Sequence, residues 1–156
     1  MITLLKKKPK NNLEEKQILK LEEIINTIEI EKRYSLIYDY ICDYVDTNLK
    51  ENNYCDFIDG KCIASRKGKT VHEMDGCCWQ RGVGHCARLS KKGVCSIKCI
   101  SCKLFVCSYL ESKGVRYNIN KILPLKNLLN YKQKDILKRN YFKSKEEIID
   151  KLLKAI

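Results

Sequence analysis

The chain has 156 residues, 44% of them apolar, ten cysteines and a formal net charge of +12. That length suits one folded unit, and two prolines among seven glycines argue against a disordered chain. No apolar run approaches the roughly 18–20 residues of a membrane span, and the opening Met1–Pro9 stretch places its lysines after its apolar patch, the reverse of a secretory signal. A membrane-integral or exported protein is thereby disfavoured. The setting expected is a reducing cytoplasm, where clustered cysteines serve as metal ligands or redox groups more often than as disulfides.

Residues 1–52 hold nine basic and ten acidic side chains and read as helix. Apolar residues recur at Ile18, Leu21, Ile25 and Ile28, then at Leu36, Ile37, Ile41, Tyr44 and Val45, mostly three or four apart. Glutamates 14, 15, 22 and 23 with Lys16 and Lys20 make the solvated face. A break near Glu31–Arg33 predicts two helices, about 13–31 and 34–50. Cys42 falls on the apolar stripe and reads as a small buried residue.

Residues 53–117 carry twelve basic and five acidic side chains and nine of the ten cysteines. The stretch Asn53–Ile63, with Asp59-Gly60 as its turn, predicts a small β-hairpin that includes Cys55 and Cys62. From Cys77 to Cys107 there are seven cysteines in 31 residues: Cys77, Cys78, Cys86, Cys95, Cys99, Cys102 and Cys107. Short loops with glycine between thiols are what a metal-organised region looks like, because coordination replaces part of a hydrophobic core.

Cys99-Ile-Ser-Cys102 is a C-x2-C knuckle, whose tight turn lets two thiolates grip one ion. Four such ligands close a tetrahedral zinc site, and four also hold a cubane iron–sulfur cluster. Cys86, Cys95, Cys99 and Cys102 are the leading ligands, followed by Cys77, Cys78 and Cys107. Cys55 and Cys62 serve the same centre, a second one, or a thiol pair. His85, beside Cys86, is a better nitrogen candidate than His72. An iron–sulfur cluster is preferred to zinc because the cysteines outnumber what one closed zinc site needs.

Cys95-x3-Cys99-x2-Cys102 also has the spacing with which radical S-adenosylmethionine enzymes hold three irons of a cubane. Those enzymes place an aromatic residue before the third cysteine, where this chain has Ser101, and build a barrel from strand–helix alternation, which the 54 residues after Cys102 do not display.

Residues 118–156 carry ten basic and four acidic side chains and are again helical. Pro124 is suited to a first helical turn ahead of Leu125, Leu128, Leu129, Ile136 and Leu137. Ser144 and Glu147 form a capping-box pattern before Ile148, Ile149, Leu152 and Leu153. The fold class expected is mainly α with a small β-hairpin, a single domain whose cysteine-rich metal-organised centre (53–117) is flanked by N-terminal (1–52) and C-terminal (118–156) helices.

Gly76-Cys-Cys, Cys86-Ala-Arg-Leu89, Gly93-Val-Cys-Ser-Ile97 and Cys102-Lys-Leu-Phe105 together resemble a bacterial family of cysteine-cluster proteins described as zinc- or iron-chelating domains, with flagellin lysine N-methylases among its relatives. The family's pattern is a double cysteine, then C-x-x-L, G-x-C-x-I and C-R-x-[FY] steps. The resemblance implies ligands at Cys77, Cys78, Cys86, Cys95 and Cys102, with Lys103 and Phe105 in the basic and aromatic places. Val71, His72 and Met74 stand where the family commonly has further cysteines, and Cys99 and Cys107 are additional.

The basic charge raises two further readings. Four thiolates on Zn²⁺ or on a [4Fe–4S]²⁺ core leave a net −2, so part of the excess Lys and Arg offsets ligand charge and favours thiolate ligation. Tyrosines among lysines, as at Tyr131 and Tyr141, suit base stacking in a zinc-dependent nucleic-acid-binding module. No nucleic-acid fold signature accompanies the charge, so this partner is not favoured. A cluster-dependent enzyme, methylase-like or redox, is the other alternative, although no Gly-rich cofactor loop or acid–base pair is visible.

Overall fold

The computed structural model describes residues 12–52, 54, 80–81, 84–85, 97–106, 108–125 and 127–156. The elements, in chain order, are helices α1 (Asn12–Asn26) and α2 (Ile30–Asn52), the two-residue strands β1 (Gln80–Arg81) and β2 (Gly84–His85), and helices α3 (Ile100–Lys103), α4 (Ser108–Ser112), α5 (Ile119–Ile122), α6 (Tyr131–Arg139) and α7 (Lys145–Leu153). The described residues are mainly helical. The strands pair antiparallel, Gln80 with His85 and Arg81 with Gly84. The hairpin expected over Asn53–Ile63 lies outside the described residues except for Tyr54, whose carbonyl accepts a 2.9 Å hydrogen bond from Lys113 Nζ.

The longest helix, α2, organises the rest, packing against α1, α3, α5 and α7, while α6 bridges α3 and α7. Tyr34, Ile37, Tyr38, Ile41 and Val45 recur three or four residues apart and are buried, so one stripe of α2 faces the core. Leu21 and Ile24 reach it from α1, Ile100 from α3, Ile119 and Ile122 from α5, Leu137 from α6, and Ile148, Ile149 and Leu152 from α7. Fully burying an Ile or Leu side chain stabilises by about 1.5–3 kcal/mol. One hydrophobic core therefore joins the two ends of the chain. Among the described residues no helix is long and apolar enough to cross a membrane.

The break between the first two helices falls earlier than the expected Glu31–Arg33. Thr27 Oγ1 donates to the Glu23 carbonyl (2.7 Å) and Arg33 Nε donates to the Thr27 carbonyl (2.8 Å), so the last turn of α1 is satisfied by side chains. Ile28, expected on the core stripe, lies in the break between α1 and α2 and is 92% exposed.

Pro124 opens no helix. It ends α5, because the residue before a proline is driven out of the helical region, and Leu123 takes an extended conformation (φ −106°, ψ 90°). The next helix waits for Asn130, whose side chain accepts from the Gln133 amide while Gln133 Oε1 accepts from the Asn130 amide, both at 2.9 Å. The capping box at Ser144 and Glu147 forms as its spacing predicts and opens α7.

Three aspartates follow one another along α2 at i, i+4 and i+7, and each takes a lysine from a different element. Asp43 pairs with Lys20 of α1 (2.6 Å), Asp46 with Lys103 of α3, and Asp39 with Lys145 of α7 (2.7 Å). Exposed pairs of this kind contribute less than about 1 kcal/mol each, but they fix which way the neighbours lie.

Candidate metal centre

Of the nine cysteines expected as ligands, Cys99 and Cys102 are within the described residues; Cys55, Cys62, Cys77, Cys78, Cys86, Cys95 and Cys107 lie outside them, as does His72. Of His85 the backbone alone is described, in β2. Cys42, Cys99 and Cys102 are reduced thiols. Cys42 sits on α2 and is buried, in keeping with its place on the apolar stripe.

The knuckle is built into the helical body. Cys99 is the N-cap of α3 and Cys102 lies on the same short turn, with Ile100 and Ser101 between them fully buried. The backbone enters through Lys98, which has a positive φ of 45°, a conformation rare outside glycine. Two other segments hold this turn. From α2, the Tyr38 hydroxyl donates to the Lys98 carbonyl (3.1 Å) and accepts from the Ile100 amide (3.0 Å). From the end of α6, the Leu137 carbonyl accepts from Ser101 Oγ (2.7 Å), and the Asn140 amide donates to the same oxygen (3.1 Å). The neutral Cys99 thiol donates to the Asn140 carbonyl at 3.4 Å.

Cys99 is 1% exposed, and burial by itself raises a thiol pKa. Here the opposite effect wins. A hydrogen bond from the Cys102 thiol, followed by the amides of Cys102, Lys143 and Ser101, lowers the Cys99 pKa to about 5. Lys143 is placed for this by Phe142, the second left-handed residue at this corner (φ 63°). The arrangement favours a thiolate at neutral pH with a second sulfur beside it, which is the form that soft and borderline metals bind. Cys99 and Cys102 thus fit two adjacent ligands of one ion or cluster. Among the described residues no group of three or more His, Cys, Asp and Glu side chains comes together to hold a metal.

Sequence reasoning found the two thiols through their spacing and missed the groups that hold them. Tyr38 was not singled out, and Ser101 stood out merely as a departure from an aromatic position. Asn140 carried no signal beyond the length of helix before it. Beside the knuckle, a groove of about 380 Å³ runs between α2 and the start of α7, lined by Tyr38, Cys42, Lys98, Lys103 and Lys145 among others.

No protein-family model, no curated protein and no solved structure matches this chain.

Proposed function

We propose that this protein is a cytoplasmic metal-binding protein that holds an iron–sulfur cluster, or zinc, through clustered thiolates. The observation that carries this reading is the Cys99–Cys102 knuckle, with two reduced sulfurs on one turn and the first of them held at a pKa of about 5. Cys86 and Cys95 are the preferred further ligands, with Cys77, Cys78 and Cys107 next and Cys55 and Cys62 after them. The resemblance to zinc- or iron-chelating cysteine-cluster proteins supports the same class.

The test is an absorption spectrum with metal analysis on protein purified without oxygen. About four irons and four sulfides per chain with broad visible absorption mean a cubane cluster, and assays of electron transfer and of S-adenosylmethionine consumption follow. A colourless protein with stoichiometric zinc means a structural centre, and the search turns to partners, nucleic acid included. Purified protein with neither metal overturns the proposal.

Two reduced thiols on one turn also favour a second reading, a redox dithiol. A metal-free protein whose Cys99 and Cys102 cycle reversibly between dithiol and disulfide would establish it instead.

A further inference from the structure

The metal-binding reading leaves open what sets the direction of the Cys99 sulfur. We propose that Tyr38 is a positioning residue for the knuckle: its hydroxyl fixes the peptide groups on both sides of Cys99 and so aims that sulfur at a metal shared with Cys102. The inference rests on the metal-binding reading and adds to it a residue 61 positions before Cys99 in the sequence.

The geometry is specific. A phenol hydroxyl has one proton to give and lone pairs to accept with, and Tyr38 uses both on the residues flanking Cys99: Lys98 through its carbonyl and Ile100 through its amide. The two anchored peptides bracket one residue, so the Cys99 Cα–Cβ direction has little freedom left. Lys98 enters with a positive φ, a state that persists where surrounding structure holds it. The phenol is itself fixed, because Tyr38 is 3% exposed in the core stripe of α2 and Lys145 Nζ stands 5.9 Å from its ring centre. Ile100 is fully buried, so water does not readily replace the hydroxyl when it is removed. Ser101 secures the next residue from the opposite side, through Leu137 and Asn140. The knuckle is thus oriented by the helical body, as outer partners orient metal ligands elsewhere.

Tyr38→Phe keeps the ring and deletes the hydroxyl. Its control is Tyr34→Phe: Tyr34 is equally buried one turn earlier on α2, and its hydroxyl accepts from Gln133 Nε2 (2.6 Å), away from the knuckle. The full chain, stripped of metal under anaerobic conditions, is titrated with Zn²⁺ against a chelator and, separately, with Co²⁺ to read the sulfur-to-cobalt charge-transfer band; circular dichroism checks that each variant is folded. The expected result is a roughly ten- to hundred-fold loss of Zn²⁺ affinity and a weakened or shifted Co²⁺ band in Tyr38→Phe, while Tyr34→Phe melts earlier but binds like wild type. Cys102→Ser losing metal while Tyr38→Phe binds like wild type would overturn the positioning role and leave the metal-binding reading standing. Equal losses in both tyrosine variants would also overturn it, since they would mean general loosening. Failure of the wild type to take up either ion, in protein that was also purified with neither iron–sulfur cluster nor zinc, would overturn both.

Discussion

Cys42 in the middle of α2 and Cys99 at the entry to α3 are both buried, yet their thiols are driven in opposite directions. Cys42 is pushed up to about 12, chiefly by burial, with Lys103 opposing and Asp46, Asp39 and Asp43 adding to the rise. Cys99 is brought down to about 5 by the Cys102 thiol and nearby amides, against the same burial penalty. The difference lies in what faces each sulfur: Cys99 has the Cys102 thiol first and open amides second. Around Cys42 the amides are committed to carbonyls one turn back, whereas the first amides of a helix have no such partner and face whatever sits at its start. Cys42 is therefore an inert apolar residue, whereas Cys99, with a second thiol and open amides beside it, favours the thiolate.

The sharpest way to break this contrast is to change the sulfurs. Cys99→Ser and Cys102→Ser should each lower metal affinity by more than about a hundred-fold, the upper end for an outer partner, and should depress the melting temperature. Cys42→Ala should leave metal content unchanged. Full metal and an unaltered melt in both serine variants would remove Cys99 and Cys102 as ligands.

Damage to the helical body should have the converse signature. Ile41 is fully buried, and Ile41→Ala should cost about 2–5 kcal/mol in chemical denaturation with metal stoichiometry preserved in the folded fraction. Ser101→Ala lies between the two regions. It strands the Asn140 amide and the Leu137 carbonyl, and should cost about 1–3 kcal/mol while also weakening the metal.

The two thiols should also divide the pH profile of the metal-free protein. The lowered pKa of Cys99 contributes stability that is complete above the ordinary 9.0 and is lost as pH falls through about 5. The raised pKa of Cys42 contributes stability that is complete below 9.0 and is lost as pH rises through about 12. Urea midpoints should therefore climb from pH 5 to 9 less steeply in Cys99→Ser than in wild type, and should fall less above pH 9 in Cys42→Ala. A Cys99→Ser profile parallel to wild type would show that the sulfur is not ionised early. The smallest effect belongs to the cap of α7, where Ser144→Ala should cost about 1 kcal/mol and leave the knuckle alone.

What the sequence made legible was local. Ser144 and Glu147 are three residues apart, and their box formed where the pattern put it. Cys42 announced its burial by its place on a helical stripe, and the C-x2-C spacing announced that Cys99 and Cys102 share one turn. Misreadings occurred where one local signal competed with another. Pro124 can start a helix or finish one, and the constraint it places on Leu123 decided for the ending. Ile28 fitted an apolar period, but Thr27 and Arg33 closed α1 with side-chain bonds that periodicity does not register. The surroundings of the knuckle were illegible for a different reason. Tyr38 meets Ile100 across 62 positions, and Asn140 meets Ser101 across 39, and no spacing rule in one sequence reports such a meeting.

The aspartate row on α2 has a consequence for the newborn chain. Lys20 is already synthesised when Asp43 appears, but Lys103 comes 57 residues after Asp46, and Lys145 comes 106 residues after Asp39. At ribosomal speeds of roughly 5–20 residues per second, α2 waits several seconds for α7 to cover the stripe formed by Ile37, Ile41 and Val45. Closing loops of that size is slow compared with helix formation, so the body completes itself late and from its far end. A ribosome that stalls before Lys145 releases a body that lacks α7 and keeps an open apolar seam along α2, the kind of species that chaperones and proteases recognise first.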